Sequence, residues 1–202
     1  MPKPGPIVAV LAGGRGERLG GNKASVGLGG RPLISYPLGA AREAELEAII
    51  VAKPESRLPT LPERVVLDRS AGHHPLAGVL AAFGQAQRVI AVACDMPFLP
   101  PTLLRWMAEQ TAEAVVTRPG DFIQPFPALY SHRHARELEM ALAAGRSLRE
   151  TIELMRPQVL DNQQLDAFGL EARMFFSVNT PADLETAEAW LTQGAAAAAQ
   201  PR

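Results

Sequence analysis

Short apolar runs alternate with amphipathic segments over the first two-thirds of the chain. The first run, IVAVL at 7–11, is continuous and rich in β-branched residues, which is typical of a strand buried on both faces. Similar runs predict further strands at 48–52, 64–68, 88–95 and 113–117. Helical patterns lie between them at 33–45, 75–86 and 101–110. This alternation predicts an α/β fold with a mostly parallel, doubly wound sheet and helices on both faces.

The final third of the chain has a different pattern. A strand is predicted at 128–131, and the capping-box sequence SLRE at 147–150 predicts the start of a helix. The segment TPAD at 180–183 predicts the start of the last helix in a similar way. The alanine-rich end is low in complexity. We therefore expect a single domain over residues 1–193 and a disordered tail over residues 194–202.

Composition narrows the class of protein. The 202 residues are 47% hydrophobic, which is enough for one domain with a full core. A net charge of −1 argues against bulk binding to nucleic acid or to anionic membranes. The single cysteine, Cys94, excludes an internal disulfide and a cysteine-based metal cluster. No apolar run approaches the roughly 20 residues of a membrane span, and no signal-peptide pattern is found, so we expect a soluble cytoplasmic protein.

The segment LAGGRGERLGGNKAS at 11–25 follows the first strand and is rich in glycine and cationic residues. Its glycines allow the backbone to turn sharply and to direct N–H groups at an anion. Arg15, Arg18 and Lys23 add positive charge of the size that a nucleoside triphosphate needs for neutralisation. A flexible surface loop with solvated cations has the same composition, but the position directly after a buried strand favours a phosphate site.

Two common phosphate-binding motifs do not fit this loop. A Walker loop requires a lysine directly after a glycine and then a hydroxyl residue, whereas Asn22 precedes Lys23 and Ala24 follows it. A dinucleotide-binding loop requires a third glycine where Leu19 stands. Both motifs are therefore disfavoured.

Aspartates follow two of the predicted strands, where open parallel sheets bind their ligands. Asp95 suits Mg²⁺, which is held by one or two carboxylates together with substrate phosphates, and helix capping is the alternative. Asp68 is a candidate for contact with ribose or base, for a role beside the metal, or for an ordinary loop position. We expect Cys94 to pack as a small apolar residue, and His73 and His74 to lie at the surface or to support other groups rather than bind metal.

The sequence offers no evident general base and no Ser-His-Asp arrangement. A phosphate acceptor is already largely ionised near neutral pH. An enzyme that uses such an acceptor needs positioning and charge stabilisation rather than proton abstraction. Glycines, cations and a metal-binding carboxylate would supply those needs.

The loop LAGGRGERLGGNKA resembles the signature of nucleotidyltransferases with a three-layer α/β/α, Rossmann-like fold, and the branch it resembles most is the molybdenum cofactor guanylyltransferases. The resemblance continues, in the family's order, through VVLD, HPLAGVLAAF, ACDMPFLPP, QPFPALYS and SVNTPADL. It covers nearly the whole chain. It implies transfer of GMP from GTP to the terminal phosphate of molybdenum-bound molybdopterin, with release of pyrophosphate and Mg²⁺ as cofactor. It also implies transient contacts with molybdopterin-delivering proteins and molybdoenzyme chaperones, and neither nucleic acid nor a membrane as partner.

The same resemblance implies roles for individual residues. The implied GTP-binding residues are Leu11, Ala12, Gly13, Gly14, Lys23, Asp68 and Asp95. The implied catalytic residues are Asp95, Lys23 and Arg18, with Asp95 as the metal ligand. Asn179 is implied to lie towards the pterin. One departure is Asn22, because the family usually has an aspartate there and a neutral residue removes one possible charge partner of Lys23.

Three alternatives differ in substrate or in class. A cytidylyltransferase acting on the same pterin would be expected to depart from LAGG and PLAG, but both are intact here, at 11–14 and 75–78. A sugar-phosphate nucleotidyltransferase would have a longer loop before the lysine. A nucleotide-binding module without turnover would be free to lose Asp95, so the presence of Asp95 favours an enzyme.

Overall fold

The computed structural model describes residues 5–14, 16–167 and 172–198. The strands are β1 (Ile7–Leu11), β2 (Gly27–Leu28), β3 (Arg31–Pro32), β4 (Ala48–Ala52), β5 (Arg64–Leu67), β6 (Arg88–Ala93), β7 (Ala114–Arg118), β8 (Gln124–Ser131) and β9 (Gln158–Asp161). The helices are α1 (Ser35–Glu43), α2 (Pro75–Phe83), α3 (Pro101–Glu109), α4 (Ala135–Ala143), α5 (Leu148–Leu154), α6 (Asn162–Ala167) and α7 (Pro181–Ala198). Arg15, one of the three loop cations, lies outside the described residues.

One sheet contains seven of these strands, in the order β5-β4-β1-β6-β8-β7-β9. β1 pairs in parallel with β4 and β6, as β4 does with β5 and β7 with β9, whereas β8 is antiparallel to both of its neighbours. β2 and β3 form a separate hairpin. The prediction of an α/β fold with a mostly parallel sheet is therefore confirmed.

Helices cover both faces of the sheet because alternate residues of a strand point to opposite sides. In β1, Val8 and Val10 belong to a core shared with α1 and α3, whereas Ile7 and Ala9 belong to a core shared with α2, α4 and α5. All four side chains are buried. The continuous apolar run that predicted β1 is thus the consequence of two cores meeting on one strand, which gives the three-layer α/β/α arrangement.

Both helix-start signals of the final third are confirmed. The Glu150 N–H donates to Ser147 Oγ at 3.2 Å, and the Ser147 N–H donates to Glu150 Oε2 at 2.9 Å. At the start of α7, the Asp183 N–H donates to Thr180 Oγ1 at 3.2 Å and the Thr180 N–H donates to Asp183 Oδ2 at 2.8 Å. These paired bonds satisfy backbone donors that the first turn of a helix leaves free.

Several short elements escaped the sequence pattern. β2 and β3 have two residues each, which is too few for a periodicity to show. β9 carries polar residues at both ends, and the six-residue α6 follows it directly. α7 extends to Ala198, into the segment for which the sequence predicts disorder, and residues 199–202 lie outside the described part of the chain. No helix among the described residues is long and apolar enough to cross a membrane.

Candidate active site

A cavity lies at the carboxyl ends of the central parallel strands. Six residues implied by the sequence line it: Leu11, Gly13, Gly14, Lys23, Asp68 and Asp95. A second cavity adjoins it across the glycine loop and is lined by Ala12 and Asn22, together with Gly13, Gly14 and Lys23. The structure therefore brings together groups that are up to 84 residues apart in sequence, from Leu11 to Asp95. The two cavities meet at the glycine loop.

Gly16 shapes the glycine loop. Its φ of 57° lies in the left-handed region, and its carbonyl accepts hydrogen bonds from the Leu19 N–H at 2.9 Å and the Gly21 N–H at 3.0 Å. A Cβ at this position would lie 2.8 Å from the Cβ of Lys23. The loop therefore folds back on itself closely enough to place Lys23 beside its own first turn, which requires glycine.

Lys23 joins the loop to two other parts of the site. Its Nζ forms an ion pair with Asp95 Oδ2, and it donates a hydrogen bond to Asn179 Oδ1 at 2.7 Å. Asp95 follows β6, and Asn179 precedes α7. Three segments that are distant in sequence therefore converge on one ammonium group.

The other oxygen of Asp95 has an unusual environment. Asp95 Oδ1 is buried and has no hydrogen-bond donor among the described residues. A buried carboxylate oxygen without a partner is costly, so this atom fits a cation or a donor supplied by a ligand. No cluster of three or more histidine, cysteine or acidic side chains suited to a metal occurs in the described part of the chain. A cation here would be held by Asp95 and by ligands that the substrate and water supply.

Asp68 is held by a lysine that the sequence analysis did not single out. The Lys53 ammonium lies 3.0 Å from Asp68 Oδ2 and donates to the Ser70 carbonyl at 2.8 Å, and the Lys53 residue is only 4% exposed. Asp68 Oδ1 accepts from the Ser70 N–H at 2.9 Å and from Ser70 Oγ at 2.6 Å. Burial tends to raise the pKa of Asp68, but the bonds from Ser70 and Lys53 outweigh it and lower the pKa. Asp68 is thus ionised, and its carboxylate is held in a fixed position in the lining of the cavity. The sequence signal for this ion pair was a charged residue, Lys53, at the end of the apolar run AIIVAK.

Replacing Asp68 with asparagine is expected to destabilise the protein by about 3 kcal/mol at pH 7, because the buried Lys53 charge loses its partner. The Asp68 pKa is lower in the folded protein, so its stabilisation is present above about pH 4 and is lost as the pH falls through the folded value. Urea denaturation across this range should show the two proteins converging in acid. The double variant Lys53→Met/Asp68→Asn should recover stability, and a single variant as stable as the wild type at pH 7 would contradict the ion pair's role.

Two adjacent histidines line the cavity and make different hydrogen bonds. His73 Nδ1 lies 2.7 Å from the Gly13 carbonyl oxygen, and since a carbonyl only accepts, Nδ1 carries the hydrogen. His74 Nδ1 accepts from the Leu76 N–H at 3.2 Å and caps α2. His73 therefore ties the glycine loop to the start of α2. The sequence predicted a supporting role for these residues without this partner.

Sheet pairing limits which backbone groups are available for a ligand. The Leu11 carbonyl accepts from the Cys94 N–H at 3.2 Å, and the Ala12 N–H donates to the Val51 carbonyl at 2.7 Å. The N–H groups of Gly13 and Gly14 have no acceptor within the described residues. Of the four implied residues at the start of the loop, 11–14, these two glycines offer their N–H groups to an anion.

Cys94 behaves as the sequence predicted. It is 6% exposed and packs in the core shared with α1 and α3. Burial and the neighbouring Asp95 charge raise the pKa of its thiol to about 12. The thiol is therefore protonated at neutral pH and is no nucleophile.

Arg18 is a described site residue that the structure does not bring to either cavity. It lies in an exposed turn, Glu17–Leu19, and its guanidinium makes no ion pair or hydrogen bond with other described residues. It lines neither of the two cavities. Its implied catalytic role stays a prediction.

The chain is similar to characterised sequence families and solved structures over most of its length. The family model described as a MobA-like NTP transferase domain matches residues 8–162. A protein of Pelotomaculum thermopropionicum named probable molybdenum cofactor guanylyltransferase is 37% identical over 180 residues, which cover 87% of this chain and 88% of that protein. The molybdenum cofactor guanylyltransferase of Syntrophotalea carbinolica is 32% identical over 194 residues, with 92% of this chain and 90% of that protein covered.

Solved structures extend the comparison to three dimensions. The molybdopterin-guanine dinucleotide biosynthesis protein A of Archaeoglobus fulgidus superposes with a TM-score of 0.79 at 29% identity, covering 92% of this chain and 98% of that one. The 2-C-methyl-D-erythritol 4-phosphate cytidylyltransferase of Thermus thermophilus superposes with a TM-score of 0.68 at 20% identity, covering 93% of this chain and 99% of that one. The second likeness concerns the fold alone.

Proposed function

The chain belongs to the MobA-like NTP transferase family, and from this membership we propose that it transfers GMP from GTP to molybdenum-bound molybdopterin, forming the guanine dinucleotide cofactor and releasing pyrophosphate. The observation that carries the proposal is the ion pair between Asp95 and Lys23 of the glycine loop. The second carboxylate oxygen of Asp95 is buried without a partner and is available to a ligand. A cation, a carboxylate and free loop N–H groups are what transfer of a nucleotidyl group requires. The transient contacts with molybdopterin-delivering proteins and molybdoenzyme chaperones belong to the same proposal.

In this proposal GTP occupies the cavity beside β1, β4 and β5. The Gly13 and Gly14 N–H groups and the Lys23 ammonium bind its phosphates. Asp68 contacts the nucleoside: Oδ1 already accepts two hydrogen bonds from Ser70, whereas Oδ2 is engaged by Lys53 alone and can accept one more. Arg18 provides a further counter-charge once it moves from its exposed position.

The environment of Asp95 fits a divalent cation, which we propose is Mg²⁺. The unpartnered Oδ1 would supply one hard oxygen ligand, and Mg²⁺ commonly takes its remaining ligands from phosphates and water. When bound, the ion would neutralise part of the charge on the phosphates. Lys23 stays beside the same carboxylate and provides the second positive charge of the site.

The reaction joins an oxygen of the acceptor's terminal phosphate to the α-phosphorus of GTP. The bond from that phosphorus to the oxygen that bridges to the β-phosphate breaks, and pyrophosphate leaves with this oxygen. The attacking phosphate is already ionised, so no residue has to remove a proton. Lys23 and the glycine-loop N–H groups stabilise the charge that develops, and their fixed placement aligns the two phosphates.

The acceptor must approach Asp95 from the side that the nucleotide leaves open. β1, β4 and β5 lie on one side of β6 in the sheet, and β8 lies on the other. Phe126 of β8 lines the cavity at this border, and the segment before α7 reaches Asp95 through the Val178 N–H, which donates to the Asp95 carbonyl at 3.0 Å. Molybdopterin is therefore proposed to lie towards β8 and this segment.

A pyrophosphate-release assay tests the proposal. The purified protein, Mg²⁺ and molybdenum-loaded molybdopterin are combined with each of the four nucleoside triphosphates in turn. We expect release with GTP and at least about tenfold less with CTP, because a site that hydrogen-bonds one base rejects another that leaves its polar groups unpaired. Release with CTP alone would refute the guanine assignment, and release with none would refute the transferase proposal.

A further inference from the structure

We propose that Asn179 is a positioning residue that holds Lys23 in place for the phosphates of the nucleotide; this inference rests on the proposed function of Lys23. The resemblance places Asn179 near the pterin, but its side chain contacts Lys23 in the structure, with Oδ1 at 2.7 Å from Nζ. Asn179 then acts on the nucleotide through Lys23 and does not itself touch it.

Two hydrogen bonds fix the orientation of the Asn179 amide. Its Nδ2 donates to the Ser177 carbonyl at 3.1 Å, which directs Oδ1 towards Lys23. A flipped amide would set an N–H group against the ammonium and lose both bonds. The amide is therefore committed to accepting from Lys23.

The backbone around Asn179 is fixed from both sides. On the carboxyl side, Asp183 Oδ2 accepts from the N–H groups of Asn179 at 2.9 Å and Thr180 at 2.8 Å. The bond from the Asn179 N–H, opposed by burial and aided by Thr180, lowers the pKa of Asp183, so this clamp is ionised at neutral pH. On the amino side, Val178 is fully buried and its N–H binds the Asp95 carbonyl. The segment at the start of α7 thus connects Asn179 to Asp95, the ion-pair partner of Lys23.

The two acceptors of Lys23 differ in charge. Asp95 neutralises the ammonium, whereas the amide oxygen of Asn179 holds it without cancelling its charge. When phosphates compete with Asp95 for the ammonium, the Asn179 bond can remain and keep Nζ at the same place. Lys23 is a long side chain whose rotamer freedom would otherwise have to be lost when the nucleotide binds. The neutral acceptor therefore lowers the entropic cost of binding the triphosphate.

A double-mutant cycle with Lys23 tests this inference. Calorimetric titration with GTP and Mg²⁺, in the absence of acceptor, gives the affinity of the wild type, Asn179→Ala, Lys23→Met and the double variant. Loss of a hydrogen bond to a charged group should weaken binding about tenfold in Asn179→Ala. In the Lys23→Met background the same change should have an effect below about twofold, because the two residues act as one unit.

Two further variants separate positioning from a structural role. Asn162→Ala is the matched control, because Asn162 Oδ1 also accepts one hydrogen bond, from the Gly120 N–H. Asn162 lies beside β9 at the edge of the sheet, three strands from β6 and Asp95. This variant should leave the GTP affinity unchanged. Asn179→Asp keeps an acceptor oxygen but adds a negative charge beside the phosphates. It should bind GTP no better than Asn179→Ala, whereas a purely structural role predicts that this near-isosteric variant restores affinity.

Several outcomes would overturn the inference. Unchanged GTP affinity in Asn179→Ala with a raised KM for molybdopterin would make Asn179 an acceptor contact. Equal losses in the wild-type and Lys23→Met backgrounds would show that it acts without Lys23. If the wild type prefers another triphosphate, the function proposal fails and the cycle is run with that nucleotide; if it binds none of the four, both proposals fail.

Discussion

Replacing Asp95 with asparagine is expected to lower kcat by about a thousandfold, through the loss of several kcal/mol of charge stabilisation in the transition state. The asparagine has the same shape, but it has no negative charge with which to hold a cation or to pair with Lys23. The backbone bond between the Val178 N–H and the Asp95 carbonyl is unaffected, so the fold should survive. Single-turnover measurements at saturating GTP and Mg²⁺ give the rate, and thermal denaturation checks the fold.

Asp121→Asn is the matched control for this prediction. Asp121 is an exposed aspartate in the segment between β7 and β8, and it lines neither cavity at the glycine loop. The same charge change there should leave kcat within about twofold, as surface substitutions away from a site usually do. A wild-type rate in Asp95→Asn would mean that the cation and the reacting phosphates bind elsewhere.

The parts of the site that were predictable from sequence are those that local pattern determines. The apolar runs of β1 and β6 are continuous because both faces are buried, and their ends placed the glycine loop and Asp95 at one edge of the sheet. The placement of Lys23 also followed from the loop. Because these features are encoded within single segments, no knowledge of strand order was needed to find them.

The parts that escaped prediction depend on contacts between segments. Lys53 ends β4 and pairs with Asp68 at the end of β5, and only the parallel pairing of those strands makes the two charges neighbours. His73 reaches Gly13 because the start of α2 and the glycine loop line the same cavity. Asn179 meets Lys23 across 156 residues of sequence. Periodicity and spacing carry no information on such pairs. Arg18 is exposed in this structure, and its implied catalytic role stays a prediction.

Replacing Gly16 with alanine is expected to lower kcat/KM by about a hundredfold, the effect of a displacement of about 1 Å in a catalytic group. Two costs add at this position. The φ of 57° is unfavourable for alanine by about 1 kcal/mol. In addition, the new methyl group would lie 2.8 Å from the Cβ and 3.0 Å from the backbone nitrogen of Lys23, so the backbone of Lys23 itself must shift. That shift breaks the contacts of Nζ with Asp95 and Asn179.

Gly20→Ala separates these two costs. Gly20 has a φ of 80°, which is equally unfavourable for alanine, but no atom lies within 4 Å of a Cβ built there. It should therefore lose about 1 kcal/mol of stability in urea denaturation while keeping kcat/KM within about threefold. Because the loop is the same and only the approach to Lys23 differs, the ratio of the two kcat/KM values measures what the placement of Lys23 contributes. Equal losses in both variants would mean that loop conformation, rather than Lys23, limits the reaction.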